Sequence, residues 1–169
     1  MTCAIFYASK SGYAKEVANK ISFALDEIRV FDIGVTGSEY ISDYKHIIFG
    51  IPTWDHGQMQ KDWQKIWDDF KHIDFKGKTV AIFGLGDQKK YPDEFADAMR
   101  YVYDDLTKSG ATIVGFTSTQ GYQFNQSKAV VDDKFVGLVI DEQNQPELTN
   151  IRIKNWTDEI KADILHATS

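Results

Sequence analysis

Five short apolar runs alternate with segments of helical periodicity along the 169 residues of this chain. The runs are rich in Ile, Val and Phe and are bounded by turn residues: Cys3–Tyr7, Ile28–Ile33, His46–Ile51, Thr79–Gly84 and Thr112–Phe116. Continuous apolar runs of this length are typical of strands that are covered on both faces. The alternation therefore predicts an α/β fold with a parallel sheet and right-handed crossover connections.

Four segments between or after these runs place their apolar residues on one helical face. They are marked by Val17, Ile21 and Leu25, by Trp63, Ile66 and Phe70, by Phe95, Met99, Val102 and Leu106, and by Trp156, Ile160 and Ile164. Pro92 is expected in the first turn of the third helix, where its missing N–H costs nothing. Because no repeat or Pro/Gly/Ser-rich linker divides the sequence, we expect one domain over residues 1–169.

The interval from Thr117 to Ile140 breaks the alternation. An ordinary α/β connection is only a handful of residues long. Within the interval, Phe135–Ile140 again has the pattern of a strand. The interval is therefore either a functional loop or an insertion into the last strand.

Composition excludes several classes of protein. The hydrophobic fraction of 43% supports a packed core, and the net charge of −6 disfavours non-specific binding to a nucleic acid backbone. A single cysteine, Cys3, excludes an internal disulfide framework and a multi-cysteine metal site, and it is expected to be a small buried hydrophobe. No stretch has the roughly 18 apolar residues of a membrane span. We expect a cytoplasmic protein without a membrane anchor.

Three loops follow predicted strands and should meet at the carboxyl edge of the sheet, where doubly wound folds bind ligands. The first, Ala8-Ser9-Lys10-Ser11-Gly12-Tyr13-Ala14, leads directly into a helix and offers two hydroxyls and free backbone N–H groups. It has neither the GxxxxGK[ST] nor the GxGxxG pattern. The loop is therefore either a phosphate cradle or a helix N-cap made by Ser9 or Ser11.

The second and third loops each add an aromatic ring at the same edge. One is Ile51-Pro52-Thr53-Trp54-Asp55-His56-Gly57-Gln58, and the other runs from Gly84 through Gly86, Asp87 and Tyr91 to Phe95. A loop tryptophan either packs against protein or offers a flat face to a ligand. Phosphate donors beside two aromatic plates predict a planar phosphorylated ligand, and FMN meets these requirements.

The loops SKSGYA, IPTWDHGQMQKDW and FGLGDQKKYPDEFADAM, with the tail GYQFNQSKAVVDDKFVGLVIDEQNQPELT, resemble those of long-chain flavodoxins over nearly the whole chain. The resemblance implies a flavodoxin-like three-layer, doubly wound, five-stranded parallel sheet of order 2-1-3-4-5 with a long insertion in the last strand. It also implies a low-potential one-electron carrier that holds FMN and cycles between semiquinone and hydroquinone, with no catalytic residues and no metal. Tyr13 is similar to the flavodoxin 2 subgroup. Tyr13 and Ala14 depart from the usual T/S-x-T-G-N-T pattern, and Ala14 removes one expected phosphate hydrogen bond.

The resemblance further implies a role for each matching position. The hydroxyls of Ser9, Ser11 and Thr53 would bind the phosphate with the backbone N–H groups of residues 10–14, and Trp54 and Tyr91 would sandwich the isoalloxazine. The Asp55–His56 peptide, followed by Gly57, would stabilise the neutral semiquinone, while backbone groups of Asp87, Glu94 and Ala96 would meet the pyrimidine edge. The expected FMN site comprises Ser9, Lys10, Ser11, Gly12, Tyr13, Ala14, Pro52, Thr53, Trp54, Asp55, His56, Gly57, Gly86, Asp87, Tyr91, Glu94, Phe95 and Ala96.

Acids outnumber bases in both segments that would flank the flavin, residues 55–74 and 87–105. This excess is either a solvated surface of no consequence or a negative face that attracts redox partners with basic surfaces. The expected partners are a flavodoxin/ferredoxin NADP reductase and acceptor enzymes, and we expect the protein to be a monomer. His56 could make the flavin potential dependent on pH. Two other functions stay open: an FMN-dependent NAD(P)H:quinone reductase of the same fold, and a flavin-free phospho-receiver, which would need acids directly after the first strand.

Overall fold

The computed structural model describes residues 3–9 and 11–165. In chain order its elements are β1 (Cys3–Tyr7), α1 (Tyr13–Ala24), β2 (Arg29–Asp32), α2 (Ile33–Thr36), β3 (His46–Trp54), β4 (Gln58–Met59), α3 (Lys61–Phe70), β5 (Thr79–Leu85), α4 (Ala98–Lys108), β6 (Thr112–Val114), β7 (Thr117–Ser118), β8 (Val130–Val131), β9 (Lys134–Phe135), β10 (Leu138–Ile140) and α5 (Thr149–Leu165). Single 3₁₀ turns occupy Ile41–Asp43 and Pro146–Leu148.

The main sheet is parallel and has the order β2-β1-β3-β5, with both β6 and β10 paired to the outer edge of β5. The strand β6 pairs with Thr79–Ala81, and β10 pairs with Phe83–Leu85 further along the same strand. The two short strands therefore act as the two halves of one fifth strand. This arrangement confirms the predicted order 2-1-3-4-5 and the insertion into the last strand.

Alternate residues of each central strand face opposite layers. In β1, Cys3, Ile5 and Tyr7 pack into the same cluster as residues of α1 and α5. Ala4 and Phe6 pack into the other cluster, which contains residues of α3 and α4. Because both faces are covered, the strand reads as an uninterrupted apolar run rather than as an alternating one.

Two expectations about boundaries are wrong. The helix predicted after Pro92 begins only at Ala98, and residues 92–97 form turns, so Pro92 is not in its first turn. Ala96, which has a φ of 56°, lies in the left-handed region and prevents an earlier start. The insertion spans residues 115–137 rather than 117–140, since Leu138–Ile140 has rejoined the main sheet.

The insertion folds into a small antiparallel sheet of order β7-β9-β8. The long loop between β7 and β8 packs against the turns at residues 92–97. The backbone N–H groups of Asn125 and Gln126 both donate to the Pro92 carbonyl, at 2.7 and 3.0 Å. The Lys128 N–H donates to Asp97 Oδ1 at 2.7 Å. The insertion is therefore bonded directly to the loop that precedes α4.

Within the described ranges, none of the helices is both long enough and apolar enough to cross a membrane.

Gly137 lies where the insertion returns to the sheet, and a Cβ at this position would approach the Ile82 carbonyl oxygen to 1.9 Å. That oxygen belongs to the backbone of the central strand β5 and cannot move aside. We expect Gly137→Ala to lower the free energy of unfolding by about 3 kcal/mol, measured by urea denaturation. In the control Gly34→Ala, the nearest atom is the Asp62 carboxylate oxygen at 2.7 Å, a side-chain end that can rotate away. A loss in Gly137→Ala no larger than in this control would contradict the close approach.

Candidate functional site

A cleft with a volume of about 290 Å³ opens at the carboxyl edge of the main sheet. It lies where a doubly wound fold is expected to bind a ligand, between the ends of β1, β3 and β5. The residues that line it are Ser9, Ser11, Tyr13, Ala14, Pro52, Thr53, Trp54, Asp55, Gln60, Leu85, Gly86, Asp87, Lys90, Tyr91 and Gln143. Four separate loops thus contribute to one site.

The first loop ends in an uncapped helix N-terminus. The N-cap of α1 is Gly12, whose φ of 91° places it in the left-handed region, and no side chain of the described residues caps the first turn. The Ser9 hydroxyl accepts instead from the Gly12 N–H at 2.9 Å. The alternative reading of this loop, a helix N-cap by Ser9 or Ser11, is therefore wrong. The first N–H groups of α1 remain available to an acceptor at the cleft.

The second loop supplies a hydroxyl whose orientation is fixed. Thr53 Oγ1 accepts a hydrogen bond from the Ala98 N–H at 3.1 Å, at the start of α4. Since the oxygen accepts this bond, its own proton is free to be donated elsewhere. Thr53 thus joins the beginning of α4 to the cleft and keeps one donor for a ligand.

Trp54 is held at the end of a tight antiparallel hairpin. It pairs with Gln58, and Thr53 pairs with Met59, so β3 turns back on itself as β4. The turn between them contains two residues with positive φ, Asp55 at 44° and Gly57 at 87°. The partly buried Trp54 ring is therefore presented on a short, constrained turn rather than on a long loop.

Tyr91 lies at the end of a second constrained turn. The Asp87 carbonyl accepts from the Tyr91 N–H at 2.9 Å, and Asp87 Oδ1 accepts from the Lys90 N–H at 2.9 Å. The Lys90 ammonium lies 5.5 Å from the centre of the Tyr91 ring. Both aromatic residues that the sequence suggested as plates thus line the same cleft.

His56 connects the two aromatic turns. Its Nδ1 lies 3.4 Å from Glu94 Oε1, and its ring meets the Tyr91 ring edge-on at a centroid distance of 5.6 Å. The imidazole is largely exposed, so this contact spans the rim rather than the floor of the cleft. The expected effect of His56 on a flavin potential stays a prediction.

The cleft brings together eleven of the predicted site residues: Ser9, Ser11, Tyr13, Ala14, Pro52, Thr53, Trp54, Asp55, Gly86, Asp87 and Tyr91. Six others are not among its lining residues: Gly12, His56, Gly57, Glu94, Phe95 and Ala96. Lys10 lies outside the described residues.

Phe95 is placed differently from the expectation. Its ring is fully buried and stacks on Phe124 at 5.2 Å, inside the insertion. Its N–H donates to the Gln126 carbonyl at 3.3 Å, and its carbonyl accepts from the Ser127 hydroxyl. Phe95 therefore anchors the loop to the insertion, and both of its backbone groups are already bonded within the protein.

Sequence reasoning missed four lining residues, Gln60, Leu85, Lys90 and Gln143. Leu85 and Lys90 lie within the third loop, whereas Gln60 is the N-cap of α3 and accepts from the Asp62 N–H at 2.7 Å. Gln143 follows β10, whose carboxyl end lies at the same edge of the sheet as the other loops. The signal is present in the sequence, since Phe135–Ile140 has the pattern of a strand and Gln143 follows it closely.

The polar groups that line this cleft fit a phosphorylated aromatic ligand. At the α1 end they are neutral donors, namely the Ser11 and Thr53 hydroxyls and the unbonded helix N–H groups. A helix N-terminus with free N–H groups favours an anion. Toward Trp54 and Tyr91 the walls become aromatic, which suits a flat ring.

The sequence matches the model of the flavodoxin family over residues 5–156. The chain belongs to the flavodoxin family. It is 42% identical over 160 residues to a flavodoxin of Picosynechococcus, covering 93% of this chain and 94% of that protein. It is also 42% identical over 163 residues to flavodoxin 1 of Salmonella typhimurium, covering 95% and 93%.

Among solved structures, the flavodoxin of Fusobacterium nucleatum bound to flavin mononucleotide superposes with a TM-score of 0.92. The two sequences are 35% identical, and the match covers 96% of this chain and 98% of that one. This similarity confirms the predicted flavodoxin-like architecture.

A buried carboxylate supports the tryptophan turn of this flavodoxin from below. Asp97 is only 3% exposed, and its Oδ2 would lie 3.0 Å from a Cβ placed on Gly57. Burial raises the pKa of the Asp97 carboxyl, and the hydrogen bond from the Lys128 N–H opposes that rise only in part. The folded protein therefore binds a proton at Asp97 more tightly than the unfolded chain does.

We expect the contribution of Asp97 to the free energy of unfolding to fall as pH rises from about 4 through this raised pKa, because the unfolded state loses the Asp97 proton first. Asp97→Asn keeps an acceptor for the Lys128 N–H but cannot ionise, so the falling contribution should be missing from its pH slope, and the stability of the wild type relative to Asp97→Asn should fall over that window. Urea denaturation between pH 4 and 7 measures both slopes. Asp93→Asn, an exposed neighbour, is the control and should keep the wild-type slope. Equal slopes in the wild type and Asp97→Asn would show that Asp97 is not the titrating group.

Proposed function

We propose that this flavodoxin binds FMN in the cleft and carries single electrons between a reductase and acceptor enzymes. The observation that supports this most directly is the cleft itself, where Trp54 and Tyr91 line one site together with an uncapped helix N-terminus. The bound cofactor would supply the one-electron redox chemistry.

The phosphate would be held by the α1 end of the cleft. Ser9, Ser11 and Thr53 offer hydroxyls there, and the first turn of α1 offers backbone N–H groups. All of these donors are neutral, so the attraction depends on hydrogen bonds and on the helix dipole. Lys10 is the one basic residue in the predicted loop and stays a predicted contributor.

The two aromatic side chains would bind the isoalloxazine and exclude water from its faces. Burying a large planar ring between Trp54 and Tyr91 adds stacking attraction to the hydrophobic gain. The Asp55–His56 peptide would meet the edge of the ring. Asp55 has a φ of 44°, in the left-handed region, within the short turn that joins β3 to β4.

Aromatic side chains on both faces of the isoalloxazine would favour an electron carrier over an enzyme. A quinone reductase of this fold would need an open pocket above the ring for a second substrate. Here the tryptophan and tyrosine turns each hold an aromatic side chain at the cleft, which leaves an edge for electron transfer. We therefore propose that the protein has no substrate chemistry of its own.

The proposed partners are redox proteins with basic faces, such as a reductase of the flavodoxin/ferredoxin NADP type. The acid excess of residues 55–74 and 87–105 flanks the cleft and would attract such surfaces to a monomeric carrier at rates sensitive to salt. The one cysteine, Cys3, is free and buried, which suits the proposed reducing cytoplasm.

The proposal is tested by adding FMN to the apoprotein and then reducing the complex stepwise while recording its visible absorption. We expect tight binding and two separated one-electron steps, because a protein that binds the three oxidation states unequally separates their potentials. A single two-electron step would count against the carrier. With NAD(P)H alone the flavin should stay oxidised, and fast bleaching would favour the quinone reductase.

Ala14 offers a second test, because it lines the cleft at the first turn of α1 and lacks the hydroxyl usual in the family. We expect Ala14→Thr to bind FMN about tenfold more tightly than Ala14→Val, since a hydrogen bond to a charged acceptor contributes about 1.5–3 kcal/mol. The two side chains have nearly the same shape and crowd the buried position equally. Quenching of FMN fluorescence gives both dissociation constants, and equal values would place the phosphate away from residue 14.

A further inference from the structure

A fully buried carboxylate lies behind the cleft and is not one of its lining residues. Asp141 follows β10 directly and has an exposure of 0%. A buried carboxylate is costly unless several donors satisfy it. The groups that donate hydrogen bonds to Asp141 therefore indicate its role in the structure.

Among the residues that the structure describes, two supply the hydrogen bonds to this carboxylate. Gln88 donates its backbone N–H to Asp141 Oδ2 at 3.0 Å and its side-chain amide to the same oxygen at 2.7 Å. Asn144 donates its backbone N–H to Oδ1 at 3.0 Å and its side-chain amide to both oxygens, at 3.1 and 2.9 Å. All of these donors are neutral, and both oxygens are satisfied.

The same network reaches the turn that holds the cleft tyrosine. The Asn144 amide donates to Asp87 Oδ1 at 2.7 Å, and that oxygen also accepts from the backbone N–H groups of Lys89 and Lys90. The Asp87 carbonyl accepts from the Tyr91 N–H. Asp141 is thus connected to the start of the 87–91 turn through Asn144 and to its second residue through Gln88.

A third connection ties this turn to the insertion. The side-chain carbonyl of Gln88 accepts from the Gln123 N–H at 2.6 Å, while its amide donates to Asp141. The Gln88 side chain is 4% exposed, so neither bond is easily replaced by water. The 87–91 turn is therefore hydrogen-bonded both to Asp141 and to the insertion.

We propose that Asp141 is a positioning residue for the flavin site: through Gln88 and Asn144 it fixes the 87–91 turn, and thereby places Asp87 and Tyr91 against FMN. The inference rests on the proposed function for its ligand, whereas the rigidity of the turn is a property of the apoprotein. A turn that is already ordered in the apoprotein lowers the entropic cost of ordering this side of the cleft when the ligand binds.

Two variants and one matched control separate position from charge. Asp141→Asn replaces one acceptor oxygen with an NH2 group, which must face the donors of either Gln88 or Asn144. Asn144→Ala keeps every formal charge but removes the bridge to Asp87. Glu142→Gln, at the adjacent and partly exposed residue, removes the same charge as Asp141→Asn without touching the network.

The first measurement uses apoprotein and needs no flavin. Hydrogen exchange of the Lys90 and Tyr91 amides should become about tenfold faster in Asp141→Asn and in Asn144→Ala, because both amides depend on the position of Asp87. Glu142→Gln should exchange like the wild type. If exchange at these amides is unchanged in either network variant, the proposal is overturned. Should Asp141→Asn fail to fold, Asn144→Ala decides the question.

The second measurement is FMN binding and the visible circular dichroism of the bound flavin. The dissociation constant should rise about tenfold in both network variants, with a changed dichroism band that reports a displaced ring environment. An equal effect in Glu142→Gln would assign the result to charge and overturn the positioning role. If the wild type itself binds no FMN, the proposed function fails, while the exchange result still decides whether Asp141 orders the turn.

Discussion

The site depends on the parallel pairing of β1, β3 and β5. In this register Tyr7 lies opposite Gly50, and Pro52 lies opposite Leu85, so the three strands end at one edge. Each strand then needs a connection to a covering helix, because both faces of the sheet are apolar and must be buried. The loops that make these connections cannot avoid meeting. The hydrophobic pattern of the strands thus brings the serine, tryptophan and tyrosine loops to a single cleft.

The remaining strand closes the site from the other side. Its first half, β6, extends the sheet beside the beginning of β5, and its second half, β10, extends it beside the end. Between them the insertion leaves and returns, and its loop is bonded to the turns that precede α4. Because β10 ends at the same edge as the other strands, it delivers Asp141 and Gln143 to the back and rim of the cleft. The insertion and the cleft are therefore parts of one hydrogen-bonded assembly.

Most of the architecture could be predicted from the sequence, because buried strands and amphipathic helices leave periodic patterns. The strand order and the split fifth strand follow from the apolar runs and the family resemblance. The start of α4 could not be predicted, since Ala96 has a left-handed conformation that its residue type does not reveal. Nor could the side chain of Phe95, because its stacking partner Phe124 lies in the insertion.

Some of the cleft residues could be predicted from the sequence, and others could not. Those next to a strand end, such as Ser9, Thr53 and Trp54, were recognised because the pattern places them at the ligand edge. Gln60 and Gln143 were missed because they lie outside the three loops from which the site was predicted. Gln60 is the N-cap of α3, and Gln143 follows the short strand β10. Asp141 is harder still to recognise, since its role depends on hydrogen bonds from two residues, Gln88 and Asn144, and Gln88 is 53 positions away along the chain.

Charge explains why such a network uses amides. The chain carries a net charge of −6 and is proposed to bind an anionic phosphate ester. A lysine or arginine beside Asp141 would neutralise the carboxylate, but its long side chain would need to be ordered inside a tightly packed turn. Gln88 and Asn144 satisfy the same oxygens with uncharged amide groups and leave the acidic balance at the cleft unchanged.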